Sequence, residues 1–428
     1  MNYIEKVEIL GFWGDKTVTI SFKEQENFLI GVNGSGKTTI INLIAATLEA
    51  DFYTLDRFQF DKLTLHLRNK EDKRKKPFIE VIKEENTKTP YKNILFRVQQ
   101  NHKEEPFELY LDDLEEEHLY RYPREEMFHR LRNRPIHNKD LEAILKPLFN
   151  VNWLSIHRYK TKFRRRDERS HESLVDQKLN EFSDSFIRYL SQLNRRAGDE
   201  TDKFQKFIFL SLLSEDGRKQ LISASKSINI EKEKESLNQI FDLFNLEKEE
   251  YKTKLDKYFN SYKSAVDNIE NTNEIRLTDI IYLIGIRRIH SVVQEWNNLV
   301  KKQDEIYKFK DTFLEVINDL LKRKKLIIDD KNELKVETQS GKILSLSQLS
   351  SGEKQLLIIL GETLLQQTNP HIYIADEPEL SLHIDWQENL VSSLKQLNPN
   401  SQIIFATHSP DIVSHYSESV IKIEEHIE

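Results

Sequence analysis

The sequence predicts an α/β layer fold assembled from both ends of the chain, with a mixed sheet, an antiparallel arm and a helical insertion. Near the N-terminus, a short apolar run leads into the glycine-rich stretch GVNGSGKT and then into residues with helical periodicity. Near the C-terminus, strand-like and helix-like segments alternate. Between these two halves, residues 172–325 contain no proline and carry apolar residues every three or four positions.

The composition indicates a folded protein that lacks cysteine chemistry. The 428 residues suggest two or three domains, and 38% hydrophobic residues suffice for a sizeable core. The absence of cysteine excludes disulfides and thiolate metal sites. With 64 Lys+Arg against 71 Asp+Glu, nucleic-acid contact requires a local basic patch. No run of about 18 apolar residues occurs, and the charged start is unlike a signal peptide, so we expect a cytoplasmic protein without a membrane partner.

The first 110 residues predict two groups of strands. Alternation in residues 2–27, with a Gly-Asp turn at 14–15, indicates a hairpin that leads into a buried strand at 28–30. Four further alternating segments between Phe58 and Leu111, separated by Pro-rich or charged turns, predict a small antiparallel sheet. Residues 112–147 have a helical pattern, and VNWLSIHR predicts a short strand after it.

The rest of the chain predicts a helical insertion and then the second half of the α/β layer. The repeat in the insertion is too irregular and too short for the long coiled-coil arm of a chromosome-organising ATPase. After it, we expect strands, a helix over 353–367, a buried strand in HIYIADEP, a helix over 384–397, the strand SQIIFATHS, and a last short helix and strand. The predicted domains are 1–160, 161–325 and 326–428.

A phosphate-binding loop is predicted at residues 31–38, which match G-x-x-x-x-G-K-[ST] between a predicted strand and a predicted helix. We expect its backbone N–H groups to hold the phosphates of ATP, Lys37 to reach the outer phosphates and Thr38 to ligate Mg²⁺. A plain glycine turn is the alternative, and the flanking strand and helix argue against it. The predicted cofactor-binding residues here are Asn33, Gly34, Ser35, Gly36, Lys37, Thr38 and Thr39.

Two apolar strands are predicted to deliver catalytic side chains to one edge of the sheet. Asp376 and Glu377 end IYIADEPE, at the carboxyl edge where open α/β sheets bind ligands. We expect Asp376 to serve the Mg²⁺ ion and Glu377 to polarise the attacking water. IIFATHSP places His408 in the parallel position, where an imidazole can contact the γ-phosphate or that water. The alternatives are a surface acidic turn and a structural histidine.

A second Ser/Gly turn opens the helix that follows LSLSQLSSGEKQ. Ser350 at the N-cap and Glu353 three residues later form a capping box, so a well-capped helix is the simplest interpretation. Ser350, Ser351 and Gly352 also offer hydroxyl and N–H groups to a phosphate, although one nucleotide needs only one phosphate loop.

The sequence resembles the ABC-type ATPases, on the branch of the SMC and overcoming-lysogenization proteins. Four motifs carry this resemblance: the phosphate loop, residues 349–355 as the signature, the Asp-Glu pair and the late histidine. The resemblance covers about residues 1–60 and 326–428, and it implies a P-loop ABC-ATPase head. It also implies a homodimer or higher oligomer through ATP-sandwiched heads. In such a dimer, the signature helix of one protomer caps the γ-phosphate of the ATP bound by the other. The residues that this implies for the contact are Ser350, Ser351, Gly352 and Glu353.

The chain departs from this family pattern at two places. ELSLHIDWQ looks like the D-loop of the same branch, but His383-Ile384 stands where His-Pro is usual. The glutamine expected after the antiparallel arm is missing, and Ser155 or His157 is the suggested replacement.

A basic stretch at residues 157–170 holds seven Lys/Arg and two aromatic residues within its first thirteen positions. Such a cluster suits contact with DNA or RNA phosphates. A solvated loop or a contact with an acidic protein is the alternative.

The family resemblance extends to the biological role. Overcoming-lysogenization proteins continue into a C-terminal nuclease domain, for which we expect no room in the twenty residues after His408. The chain looks like the ATPase subunits of anti-phage systems such as Septu, some retrons and PARIS. We therefore expect an ATPase that dimerises on ATP and senses nucleic acid or controls a separately encoded effector, such as a nuclease, in anti-phage defence or DNA repair. A slowly hydrolysing clamp is the alternative. A transporter subunit is disfavoured by the long insertion.

Overall fold

The computed structural model describes residues 2–72, 74–85, 92–101, 105–110, 144–145, 148–153, 173–213, 228–272, 276–367 and 369–428. The chain forms two compact units, one of Met1–Ile187 with Thr312–Glu428 and one of Arg188–Asp311. The strands are β1 Asn2–Phe12, β2 Lys16–Ser21, β3 Glu26–Ile30, β4 Lys62–Asn69, β5 Phe78–Glu85, β6 Lys92–Gln99, β7 Phe107–Tyr110, β8 Val151–Trp153, β9 Lys324–Ile328, β10 Leu334–Thr338, β11 Ile343–Leu344, β12 Ile372–Asp376, β13 Gln402–Ala406 and β14 Val420–Lys422. The helices are α1 Lys37–Leu48, α2 Phe52–Arg57, α3 Leu174–Ser211, α4 Ile230–Leu243, α5 Lys248–Thr272, α6 Leu277–Leu321, α7 Ser351–Leu365, α8 Ile384–Leu397 and α9 Pro410–Val413.

The predicted antiparallel arm is a six-stranded sheet in the order β2-β1-β4-β5-β6-β7. Every described pairing in it is antiparallel. Alternate residues of these strands are buried, as in β1, where Val7 and Ile9 are fully covered. The period-two pattern of the sequence therefore predicted these strands correctly. The hairpin β1-β2 belongs to the same sheet as β4 to β7, whereas the sequence predicted two groups, because β1 pairs with β4.

A five-stranded parallel sheet joins the two ends of the chain, in the order β14-β3-β13-β12-β8. Every residue of β12 and β13 is buried, which explains their unbroken apolar sequences. β3 from the N-terminal half pairs directly with β13 from the C-terminal half. This pairing confirms the predicted α/β layer built from both termini. The described parallel and antiparallel strands lie in separate sheets, whereas a mixed sheet was expected, because the antiparallel strands pair only with one another.

Helix α1 packs on the parallel sheet. Its apolar residues Ile40 and Ile44 share one core with Ile374 of β12 and Ile404 of β13. This burial fixes the first residue of α1 at the carboxyl edge of the sheet, which is the edge where the site residues lie.

The C-terminal half also contains a three-stranded antiparallel sheet, β11-β10-β9, which precedes α7. Helix α7 packs against the start of α3, where a Cβ on Gly361 would lie 2.3 Å from the ring of Phe182. Phe182 also contacts Phe313 of α6, with ring centroids 6.4 Å apart. The start of α3 and the end of α6 thus pack together in this unit. Position 361 has no room for a side chain.

The unit of residues 188–311 is helical, as predicted. Its core includes Phe204, Phe259, Ile286 and Trp296. Polar contacts add to this core, including the 2.8 Å ion pair of Lys302 with Glu200 between α6 and α3. Among the described helices, none combines the length and apolar character needed to cross a bilayer. The predicted domain borders at 160 and 325 remain predictions. The border at 160 lies outside the described residues, and so does most of the segment 112–147, for which the sequence predicted a helical pattern.

Candidate functional site

The phosphate loop lies between β3 and α1, and the first turn of α1 has no side-chain cap. Gly36 occupies the N-cap with a left-handed backbone at φ 95°, and no acidic residue stands in the first turn. The first N–H groups of a helix have no partner within the helix, so they are open to an external acceptor. Together with the helix dipole, they make residues 36–39 suitable for binding an anion.

Lys37 is folded over this loop. Its ammonium donates hydrogen bonds to the carbonyl oxygens of Gly31 at 2.7 Å and Val32 at 3.1 Å, and the residue is only 6% exposed. Burial lowers the pKa of Lys37, while the nearby carboxylates of Glu424 and Glu377 act in the opposite direction. A buried ammonium held by carbonyl oxygens is well placed to exchange them for phosphate oxygens.

Thr38 and Asp376 come together from opposite halves of the chain. The hydroxyl of Thr38 donates to a carboxylate oxygen of Asp376 at 3.1 Å. A hydroxyl and a carboxylate are hard oxygen ligands of the kind that Mg²⁺ prefers. Within the described parts of the chain, no cluster of three or more His, Asp or Glu side chains could hold a metal by itself. This donor set therefore fits an ion that shares phosphate oxygens and water, as Mg²⁺ does in nucleotide sites.

Glu377 continues the strand by one residue and then turns the chain. Its N–H donates to the carbonyl of Ala406 at 2.8 Å, next to the paired residues Asp376 and Ala406. Its backbone is left-handed, with φ 52°. Such a conformation is strained for a residue with a long side chain, and strain of this kind concentrates at functional sites.

His408 lies just beyond β13, at the same edge as Asp376. The residue is exposed, and its backbone N–H donates to Oε1 of Glu379 at 2.9 Å. The parallel register of β12 and β13 places Asp376 beside Ala406, so Glu377 and Thr407 both follow at that edge. The structure thus brings the phosphate loop, Asp376 and the His408 loop to one side of the parallel sheet.

The start of α7 has the predicted capping box. Ser350 N–H donates to Oε2 of Glu353 at 2.8 Å, and Glu353 N–H donates to the hydroxyl of Ser350 at 3.3 Å. Lys324 adds hydrogen bonds of 2.9 Å to both oxygens of Glu353. Burial raises the pKa of Glu353, but Lys324 and Ser350 outweigh this effect, and its pKa lies below the ordinary value.

The serines and the glycine of this turn differ in accessibility. Ser350 and Ser351 are exposed, whereas Gly352 is buried. A Cβ on Gly352 would lie 2.3 Å from the carbonyl oxygen of Ser381, so only glycine allows this approach. Among the described residues, no hydrogen bond or ion pair joins 350–353 to 31–39 in one chain. Ligand contacts by these four residues remain a prediction.

Three residues of the site were absent from the sequence prediction. Glu379 anchors the His408 loop, and Glu424, in a 3₁₀ turn near the end of the chain, accepts a hydrogen bond from Val32 N–H at 2.6 Å. Trp13 is 43% exposed, has a left-handed backbone at φ 56° and stacks on Phe12 with ring centroids 4.6 Å apart. The second glutamate of DEPE was a visible signal for Glu379, whereas no local pattern marked the other two.

Both aromatic rings border the phosphate loop. A Cβ on Gly36 would lie 3.1 Å from the ring of Phe12 and 3.1 Å from the ring of Trp13. Gly36 is therefore needed both for its positive φ and for its lack of a side chain. The indole offers a flat apolar surface beside the loop.

The departures from the family pattern have different outcomes. Helix α8 begins at Ile384, with His383 at the N-cap accepting from Asp385 N–H at 3.3 Å. Proline is well tolerated at the first position of a helix, so Ile384 starts the helix where the family uses proline. The suggested substitutes for the glutamine, Ser155 and His157, and the basic stretch 157–170 lie outside the described residues.

Comparison with known proteins gives one family match and two retron relatives. The model of the AAA ATPase domain family matches residues 2–413. "Retron Vc95 probable ATPase" of Vibrio cholerae serotype O1 biovar El Tor is 26% identical over 228 residues, 48% of this chain and 42% of that protein. "Retron Ec83 probable ATPase" of Escherichia coli is 31% identical over 143 residues, 31% of this chain and 22% of that protein. The matches thus span less than half of each relative.

Solved SMC heads are similar over nearly the whole chain but with low scores. The Smc head domain bound to the C-terminal domain of ScpA from Pyrococcus furiosus has a TM-score of 0.42 and 15% identity, covering 97% of this chain and 92% of that one. The SMC head domain from Thermotoga maritima has a TM-score of 0.33 and 10% identity, covering 96% and 91%.

Proposed function

The chain belongs to the AAA ATPase domain family, and from that premise we propose an ABC-type ATPase subunit that binds MgATP at residues 31–39, dimerises on ATP and hydrolyses it. The observation that carries this proposal is the meeting of three features at one sheet edge. They are the uncapped start of α1, the buried ammonium of Lys37 and the 3.1 Å contact of Thr38 with Asp376. Together they supply phosphate recognition and metal ligation at the same place.

Each side chain has a defined task in this proposal. Lys37 leaves the carbonyl oxygens of the loop and binds the outer phosphates. Thr38 and Asp376 would hold Mg²⁺, which when bound would supply positive charge that neutralises developing phosphate charge. Glu377 orients and polarises the attacking water, and His408 contacts the γ-phosphate or that water. Trp13 offers a surface on which the base can stack.

Dimerisation is supported by the exposure of Ser350 and Ser351 and by the absence of a described polar contact between residues 350–353 and the phosphate loop of their own chain. A signature turn of this kind can reach the γ-phosphate of a second copy with its exposed hydroxyl groups. ATP then links the two surfaces, because only the triphosphate contacts both.

The biological role we propose is control of a separately encoded effector, such as a nuclease, in anti-phage defence. Its support is the similarity to two proteins named as probable retron ATPases. Nucleic-acid sensing through residues 157–170 is part of the same proposal and rests on their charge. Replacing Arg164, Arg165 and Arg166 with Glu is expected to reduce the salt dependence of nucleic-acid binding, and an unchanged slope contradicts it.

The ATPase proposal is tested by two single variants, with binding and hydrolysis measured separately. Lys37→Ala is expected to abolish ATP binding. Glu377→Gln is expected to keep ATP affinity but to slow hydrolysis by about a hundredfold or more, because the water loses its base. Lys232→Ala, an exposed lysine of α4, is the control. Equal ATP affinity in wild type and Lys37→Ala overturns the phosphate-loop assignment.

The slowly hydrolysing clamp is distinguished by turnover number. If the protein is such a clamp, the wild type binds ATP and dimerises, but its turnover number for ATP hydrolysis is close to that of Glu377→Gln. Under our proposal, the wild type turns over many times per dimer, and Glu377→Gln accumulates as an ATP-bound dimer.

A further inference from the structure

A buried glutamate, Glu379, connects the two strand-end loops of the site. Its side chain follows Glu377 by two positions, and the residue is 8% exposed. Oε1 of Glu379 accepts hydrogen bonds from the Thr407 hydroxyl at 2.6 Å, from His408 N–H at 2.9 Å and from Ser409 N–H at 3.2 Å. Because three donors of consecutive residues converge on one oxygen, Glu379 fixes the backbone of the His408 loop.

The second carboxylate oxygen makes this arrangement costly for stability. Oε2 of Glu379 is buried and has no hydrogen-bond partner in the described part of the chain. An unpaired buried polar atom destabilises the folded state, and a carboxylate more than a neutral group. A buried carboxylate with such an oxygen, at the edge of the candidate site, points to a functional role.

The same loops are held from other sides. Ser409 donates its hydroxyl hydrogen bond to Oε1 of Gln387 at 2.7 Å, which ties the His408 loop to α8. Gln355 of α7 donates to the carbonyl of Pro378 at 3.3 Å, next to Glu379. The loop that carries Glu377 and Glu379 therefore lies between the helix of the signature turn and the His408 loop.

We propose that Glu379 is a positioning residue for hydrolysis. It sets the place of the His408 imidazole relative to Glu377 by fixing the backbone of residues 407–409. This inference rests on the proposed ATPase function and adds to it a residue that acts through the backbone of residues 407–409. Because the nucleotide is bound by the phosphate loop, loss of Glu379 lowers the rate of the chemical step and leaves ATP affinity intact.

The test compares Glu379→Ala with Glu379→Gln, measuring ATP affinity by equilibrium binding and kcat by steady-state hydrolysis. Glu379→Ala removes the shared acceptor and is expected to lower kcat by about tenfold to a hundredfold, with ATP affinity within about threefold of wild type. Glu379→Gln keeps an acceptor oxygen and is expected to retain most of kcat. Glu388→Ala, an exposed glutamate of α8, is the control.

A second variant isolates the hydrogen bond from the fold. Thr407→Val removes the 2.6 Å hydrogen bond to Glu379 and the 3.0 Å hydrogen bond that the Thr407 hydroxyl accepts from Ser409 N–H, but it keeps side-chain volume, and Thr407→Ser restores the hydroxyl. We expect Thr407→Val to lower kcat several-fold, and to lower it less in a Glu379→Ala background, because the bond between Thr407 and Glu379 is already absent there. Should Glu379→Ala not fold, the Thr407 pair alone decides, and wild-type kcat in Thr407→Val overturns the proposal.

The remaining outcomes separate this inference from the ATPase proposal. Wild-type kcat in Glu379→Ala, an equal loss of kcat and affinity, or a Glu379→Gln enzyme as impaired as Glu379→Ala each overturns the positioning role. If these occur while Glu377→Gln still slows hydrolysis, only this inference falls. If Glu377→Gln hydrolyses ATP at the wild-type rate, the proposed ATPase mechanism falls first.

Discussion

Helices α1 and α7 begin in opposite ways, although both follow a glycine-containing turn. Helix α1 starts after Gly36 with no side-chain cap and no acidic residue in its first turn. Helix α7 starts after Ser350 with a complete capping box and an ion pair from Lys324 to Glu353. The first N–H groups of α1 are therefore open to an external anion, whereas Glu353 of the capping box provides a negative charge at the start of α7.

Because of this difference, one chain can contain two turns suited to phosphate that do not compete for the same phosphate group. In the proposed function, the bare start of α1 binds a phosphate group in its own protomer, because its N–H groups have no side-chain cap. The capped start of α7 stays folded without ligand and presents the exposed Ser350 and Ser351 outward. A second copy bringing its ATP is the partner that suits such a surface.

The largest expected effect comes from disturbing the bare helix start. Gly36→Ala is expected to weaken ATP binding by more than about a hundredfold, because alanine disfavours φ 95° and its Cβ would crowd Phe12 and Trp13. Gly341→Ala is the matched control, since that glycine also has positive φ, at 76°, and a Cβ added there would meet nothing within 4 Å. ATP titration of both proteins checks this, and equal losses in the two contradict a specific role for Gly36.

A smaller effect is expected at the aromatic border of the phosphate loop. Trp13→Ala should weaken ATP binding by roughly tenfold, since stacking of a base on an aromatic ring contributes roughly 1–3 kcal/mol. Binding of inorganic triphosphate, which has no base, should be unchanged, and Trp13→Phe should retain most ATP affinity. Parallel loss of ATP and triphosphate affinity in Trp13→Ala would instead assign the indole to the shape of the loop.

The smallest effect concerns the cap itself. Glu353→Gln should destabilise the protein by about 1 kcal/mol at neutral pH, through loss of charge in the capping box and of the Lys324 pair. The pKa of Glu353 is lowered on folding, so this contribution is present above the ordinary carboxyl value of 4.5 and is lost as pH falls through the lower folded-state value. Denaturant unfolding at neutral and acidic pH measures it. A difference between the proteins that grows on acidification contradicts the assignment.

The comparison also shows which features the sequence could predict. The glycine-rich loop between a strand and a helix, the capping box and the buried strands were predicted correctly, because each depends on residues within about eight positions of one another. Glu379 was missed because its partners lie 28 to 30 positions away, and Glu424 because Val32 is 392 positions away. Trp13 was missed because its position follows from a left-handed turn and from the space left by Gly36. The contacts of Glu379 and Glu424 depend on pairing between strands that are distant in sequence, β12 with β13 and β3 with β14, and local pattern does not indicate such pairing.

We propose that the capped turn acts on the ATP of a second copy. Mixing two inactive variants tests whether the two copies share their sites. Ser350→Arg lacks a working signature turn, and Lys37→Ala lacks a working phosphate loop. In a mixed dimer, one composite site has both defects and the other has neither. Hydrolysis well above the sum of the separate proteins is expected on mixing, whereas a simple sum argues against sites shared between protomers.

The most direct measurement is made on Ser350→Arg alone, by recording ATP affinity and ATP hydrolysis on the same preparation. We expect nearly wild-type ATP affinity, because the proposed nucleotide site is at residues 31–38. We also expect loss of ATP-driven dimerisation and of hydrolysis, because a bulky cation would stand where the γ-phosphate meets α7. A Ser350→Arg protein that hydrolyses ATP at the wild-type rate would mean that residues 349–355 only cap a helix. That result would contradict the composite site and the ABC-type assignment with it.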